Sequence, residues 1–187
     1  MKVYLIALIS LFFSFSVHAK NISGINISES ISLSEKSKPL ILNGAGIRSK
    51  FVFDIYVGSL YLEEKQTTTH AIYNAEGQKS IRMHFLYDEV SQEKLVSSWN
   101  DGFESNNSEE ELKKLKPRID QFNDFFISVK KGDSIHLNFS PSRGTEVVIN
   151  NTSKGIIKGL DFFTAVLKIW LGDEPADEDL KAAMLGQ

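Results

Sequence analysis

The sequence predicts an α+β fold in which an antiparallel sheet is covered on one face by helices. Three observations predict it. Ile22 to Leu33 and Ser80 to Tyr87 alternate apolar and polar residues with period two, which places the apolar side chains on one face of a strand. Segments of strand character come first, then helices, then a hairpin, then helices again, which is not the strict alternation of a parallel sheet. Finally, Gly159 to Leu171 is apolar around most of its circumference, as a helix buried on several sides must be.

The elements follow in order. Met1-Lys2 is a short basic start, Val3 to Val17 is almost wholly apolar, and Ala19 is a small residue before Lys20. This pattern reads as a secretory signal peptide over residues 1–19, with a single domain over 20–187. The apolar run falls short of the roughly 20 residues a membrane span needs, so no stable span is expected after cleavage. Ile25, Ile27, Ile31 and Leu33 alternate with Ser and Asn as edge strands with one wet face. Pro39 to Leu42 reads as a short strand ending at Asn43-Gly44. Lys50 to Leu62 reads as a long strand, with Gly58 a bulge or a place of close approach. A short helix is expected within Gln66 to Asn74. On the strand Ser80 to Tyr87, Ile81, Met83, Phe85 and Tyr87 share one face.

Ser91 is placed to cap a helix whose Leu95, Val96, Trp99 and Phe103 share a face. Ser108 and Glu111 form a capping box before the stripe Leu112, Leu115, Ile119, Phe122 and Phe126, and Pro117 is expected to kink that helix. Lys131-Gly132-Asp133 reads as a turn. Ser134 to Phe139 and Thr145 to Asn150 read as strands joined through Pro141 to Gly144. Gly172 ends the apolar helix, and Asp177 to Asp179 start a last short helix that stops at Gly186.

Composition excludes several functions. Loss of the leader removes only Lys2, leaving 20 basic and 24 acidic residues and a net charge of −4. No basic block is present, so nucleic acid is not an expected partner. The chain has no Cys, so an exported form rests on packing rather than disulfides, and thiol chemistry is absent. His70, His84 and His136 are isolated from one another at metal-ligand spacings, so no metal site is expected. No phosphate-cradling glycine loop or nucleophile elbow occurs, and no cofactor is expected. Triplets such as Asn21-Ile22-Ser23 and Asn138-Phe139-Ser140 lie inside strand-like runs, which favours a bacterial periplasmic protein over a glycosylated one. The sequence sets no oligomeric state.

The chemistry concentrates at Arg48, in the run Asn43-Gly44-Ala45-Gly46-Ile47-Arg48. The glycines let the backbone turn tightly or pass close to another group. Arg48 then presents a permanent cationic fork at the mouth of an aromatic, apolar segment, which fits an apolar molecule with an anionic head. The alternative is a surface Arg after a turn. Tyr87, at the end of an apolar strand face, needs a partner for its hydroxyl.

Those residues, with Val57 to Glu63, Tyr87 to Trp99, Lys131-Gly132-Asp133, Leu137 to Pro141 and Gly155 to Gly172, resemble the chalcone isomerase family over nearly all of the mature chain. The match is nearest to its secreted bacterial branch. The resemblance implies an open-faced β-sandwich, a large antiparallel sheet under a layer of helices, with a ligand cleft between. It implies that Arg48 and Tyr87 match an Arg and a Tyr that hold an enolate in the enzymes and a carboxylate in the fatty-acid-binding members. It also marks departures: Tyr56 stands where the enzymes have Thr, Lys94 where they have Asn, and Ile169 where they have Ser or Thr. Without those polar groups the chain is expected not to catalyse chalcone closure. The expected function is binding of a small apolar acid, fatty-acid-like, in a cleft formed by Arg48, Tyr87, Tyr56, Lys94, Ile169 and Trp170, in the periplasm or outside the cell. The alternatives are an intramolecular lyase with Arg48 and Tyr87 as its catalytic groups, and a structural protein whose Arg48 is paired with Asp54 or Glu63.

Overall fold

The computed structural model describes residues 19–35 and 37–187. The expected signal peptide therefore lies outside the described residues, apart from Ala19, which opens the first strand. Strands β1 (Ala19–Ile22) and β2 (Ile25–Ser28) form an antiparallel hairpin, and β3 (Ser30–Ile31) follows. Next come β4 (Leu40–Lys50), β5 (Phe53–Leu62), helix α1 (Thr69–Asn74), β6 (Lys79–Phe85) and β7 (Glu89–Val90). Helices α2 (Gln92–Asn106) and α3 (Glu109–Asn123) lead to β8 (Val129–Lys130), β9 (Ser134–Ser140), β10 (Gly144–Ile149) and β11 (Thr152–Ile157). The chain closes with α4 (Leu160–Leu171) and α5 (Glu178–Met184).

The main sheet has seven strands in the order β11-β10-β9-β6-β5-β4-β3, every neighbouring pair antiparallel. Period two divides its faces. Tyr56, Leu60, Ile81, Met83, Phe85, Ile135, Leu137 and Val147 point to the helix layer, where α4 is buried along most of its length. Trp99 and Phe103 of α2 meet Phe122 of α3 and Trp170 or Phe162 of α4 through edge and tilted ring contacts at centroid distances between 5.6 and 6.1 Å. The opposite face of β4 and β5 (Leu42, Ala45, Val57, Tyr61) is covered by Ile22, Ile25 and Ile27 of the N-terminal hairpin. Among the described residues no helix is long and apolar enough to cross a membrane.

The capping signals act as read. Ser91 Oγ accepts from the Lys94 N–H, and Ser108 and Glu111 satisfy each other's backbone amides. Helix α3 passes through Pro117 without ending, but stops at Asn123, so Phe126 reaches the core from the loop beyond. Thr68 caps α1, a shorter helix than its sequence window.

Four expectations need correction. Asn43-Gly44 does not end a strand: β4 runs eleven residues straight through the glycines, because helix α5 seats on them. The segment 50–62 is not one strand, since Phe51-Val52 is a two-residue hairpin turn between Lys50 and Phe53, which pair. Strand β11 was not anticipated; Asn150 and Asn151 both take left-handed backbone (φ 49° and 62°), the geometry of a tight hairpin turn. Tyr87 lies past the end of β6, so it leaves the inward row of Ile81, Met83 and Phe85.

Candidate functional site

The site is assembled from β4, β5, the β6–α2 connection and the first turns of α2. Arg48 is in register with Tyr56 on β5, so both side chains point to the helix layer, and the guanidinium carbon stands 5.7 Å from the Tyr56 ring centroid. The backbone beside it is held firmly. The Ser49 N–H donates to Asp177 Oδ2 (3.0 Å), while Asp177 Oδ1 accepts from the Leu180 N–H (2.9 Å) as the cap of α5. Ser49 Oγ donates to Asp54 Oδ1 (2.9 Å). The last helix is thus tied to the strand residue next to Arg48.

Two openings meet at Arg48. The outer one is a cleft of about 530 Å³ lined by Arg48, Ile55, Tyr87, Val90, Lys94 and Ser98. That volume falls within the range of small-molecule sites. The inner one is a hollow of about 30 Å³ bounded by Arg48, Tyr56, Phe85, Trp99 and Ile169. Arg48, Ile55, Val90 and Ser98 line both. The inner hollow has the size of one water or one carboxylate head, not of a hydrocarbon chain.

The donors at this junction are unusual. Arg48 Nε and Trp99 Nε1 are both buried, and neither has an acceptor among the described residues. Buried donors are nearly always paired, and an unpaired one costs about 1–3 kcal/mol. Asp54 is engaged by Ser49, and Glu63 accepts from the Gln78 N–H and faces Lys38 at 4.0 Å; no carboxylate among the described residues forms an ion pair with Arg48. Tyr56 is fully buried, and its hydroxyl accepts from Trp170 Nε1 (2.8 Å), which leaves its own proton free to be donated. Burial raises the Tyr56 pKa against the opposing pull of Arg48, so the phenol stays protonated. Arg48, Trp99 and Tyr56 all line the inner hollow, and each carries a donor that no described residue engages. At the rim, Glu93 is held ionised by its own backbone N–H at the helix start and by Ser91.

The structure brings Arg48, Tyr87 and Lys94 together on the outer cleft and places Tyr56 and Ile169 on the inner hollow. Trp170 lines neither and acts through Tyr56. Tyr87 packs edge-on against Phe53, with centroids 5.5 Å apart. Trp99, which the sequence presents only as part of an apolar stripe, also lines the inner hollow. The signal was present: an indole N–H on a buried helix face needs an acceptor, and the stripe supplies none. A further groove of about 470 Å³ between α3 and α4 includes Glu111, Asp161 and Lys168. Its charges are already matched, Lys168 to Glu111 at 3.4 Å and Asp161 to Arg118 at 2.6 Å. Among the described residues no group of three His, Asp or Glu side chains could hold a metal ion.

The fold has a solved counterpart. The chain superimposes on the crystal structure of an Arabidopsis thaliana fatty-acid binding protein with a TM-score of 0.64 and 17% identity, covering 90% of this chain and 95% of that one. No curated protein matches the sequence. The model of the chalcone isomerase-like family matches residues 19–186, essentially the whole of the described chain, and the protein belongs to that family.

Proposed function

We propose that this protein binds a small apolar acid of fatty-acid type without transforming it, working in the periplasm or outside the cell. The carboxylate sits at the inner hollow, where it accepts from Arg48, Trp99 and Tyr56, and the chain lies along the outer cleft between Ile55, Val90 and Tyr87. The observation that carries this reading is the pair of buried donors, Arg48 Nε and Trp99 Nε1, on two residues that line one hollow and without an acceptor among the described residues. An anion satisfies both, and charge-assisted bonds to it are the strong kind. The fatty-acid binding protein of the same fold supports the ligand class, and the leader pattern of residues 1–19 supports export. Apart from Ser98, the rest of the hollow's wall is apolar, including Phe85, Leu95 and Ile169, and no His, Asp or Glu among the described residues lines it, which supports binding over catalysis.

Equilibrium binding of palmitate to delipidated protein tests the reading. Arg48→Ala is expected to weaken binding at least about tenfold, and Trp99→Phe by about threefold to tenfold, because each removes one donor to the anion. Methyl palmitate, with no charge, is expected to bind the wild type as weakly as palmitate binds the Arg48 variant. Equal affinity of the wild type and Arg48→Ala for palmitate would remove the proposal. Export has its own check: the protein recovered from outside the cytoplasm of its source cells should begin at Lys20 on N-terminal sequencing.

A further inference from the structure

The β4–β5 turn carries side chains that a soluble hairpin has no use for. Phe51 is 92% exposed, Val52 87% and Phe53 52%. They follow one another at the tip of a two-residue turn closed by the Lys50–Phe53 pair. The first central residue, Phe51, takes left-handed backbone (φ 58°), where such turns favour Gly, Asn or Asp and a bulky residue is strained. An aromatic ring placed there adds strain and is left almost wholly exposed by the described residues. The tip also has a definite position, because Lys50, Phe51 and Phe53 stand at the mouth of the 530 Å³ cleft, Phe53 packing on Tyr87.

We propose that this tip docks the protein on a lipid bilayer, with Phe51 and Val52 entering the boundary between headgroups and acyl chains and the mouth of the cleft facing the membrane. Two observations favour a bilayer over a protein partner. A wedge of two side chains on a two-residue turn cannot supply the roughly 800 Å² per side that a stable protein interface buries, whereas insertion into hydrocarbon needs no matching surface. Lys50 and Lys94 flank the same mouth beside Glu89, Glu93 and Asp101, a mixed rim of both signs that suits a zwitterionic headgroup layer, whose phosphates the two ammonium groups would meet. The inference rests on the fatty-acid reading for its purpose: an acid with a long apolar chain is stored in membranes, and the wedge brings the cleft to that store.

The test is flotation of the mature protein with phosphatidylcholine vesicles, alongside palmitate binding in vesicle-free solution. The wild type is expected to float with the vesicles. Val52→Asp, which puts a charge at the tip but lies outside the cleft lining, is expected to partition at least about tenfold more weakly while keeping its palmitate affinity within about twofold. Transfer of palmitate from vesicles to this variant should slow in proportion. Phe51→Asn should melt no lower than the wild type, since Asn tolerates left-handed backbone and the exposed ring has no packing to lose. Wild type that stays off vesicles, Val52→Asp that floats equally well, or a marked fall in melting temperature for Phe51→Asn would each overturn the docking proposal. Vesicle binding by a wild type that takes up no palmitate would uphold docking and overturn the ligand reading instead.

Discussion

Gly44→Ala is expected to destabilise the protein by about 3 kcal/mol or more. A Cβ at position 44 would lie 1.9 Å from the Ala183 carbonyl oxygen and 3.0 Å from that of Met184. Both are backbone atoms of the closing helix α5, so no rotamer change can relieve the contact and the helix must lift off β4. Lifting it also strains the bonds of buried Asn43, whose Nδ2 donates to the Met184 carbonyl (2.7 Å) and the Gln66 carbonyl (2.9 Å). Gly46 provides the contrast. There the nearest atom to a new Cβ is the Ala183 Cβ, at 2.7 Å, a side-chain atom that can be deleted. Gly46→Ala should therefore be rescued in part by Ala183→Gly, and Gly44→Ala should not. Urea denaturation of the two double-mutant cycles measures this. A loss below about 1 kcal/mol for Gly44→Ala, or equal rescue of both, would show that α5 is not seated on the glycines. Because α5 is capped by Asp177, which holds Ser49 beside Arg48, the same variants should also weaken palmitate binding.

Acidification from pH 6.5 to about 4 is expected to cost the wild type about 2 kcal/mol more than it costs His136→Gln. His136 lies on the sheet face away from the helices, in register with Arg82 and Val148 and with its ring 6.2 Å from that of His84. Its Nε2 is buried with no partner among the described residues. Burial first, then the charge of Arg82, then His84, push its pKa down to about 4, and burial with Arg82 lowers His84 as well. The sign follows from proton counting. Between pH 6.5 and 4 the unfolded chain carries a proton on this ring and the folded chain does not. Stability therefore falls as pH falls through that window, and the loss saturates below about 4. A shift of this size on a fully enclosed ring would amount to about 3 kcal/mol, and partial exposure of His136 screens it to about 2. Denaturation of both proteins at about pH 7, 5.5 and 4 gives the comparison; parallel pH profiles would mean that His136 titrates normally.

The caps at Ser91 and Ser108 and the inward rows of β6 and α2 were legible because they rest on contacts between residues at most four apart or on period two along one strand. The all-round apolar α4 announced a helix enclosed between sheet and helices, and it is one. Arg48 could be singled out because a permanent charge next to apolar strand residues is anomalous wherever it occurs.

Tertiary structure alone decided the rest. Glycines 44 and 46 permit either a turn or a close approach, and only the arrival of Ala183 from the far end of the chain selects the second. Strand β11 and the Phe51-Val52 turn each depended on which neighbour the backbone pairs with, a long-range matter that propensity does not settle. The same holds for the site. That Arg48 Nε and Trp99 Nε1 have no acceptor among the described residues is a property of everything packed around them, since a donor is orphaned only by the full set of its neighbours. Local order is written in spacing along the chain, whereas a binding hollow exists only where distant segments close on one another and leave polar groups unmatched.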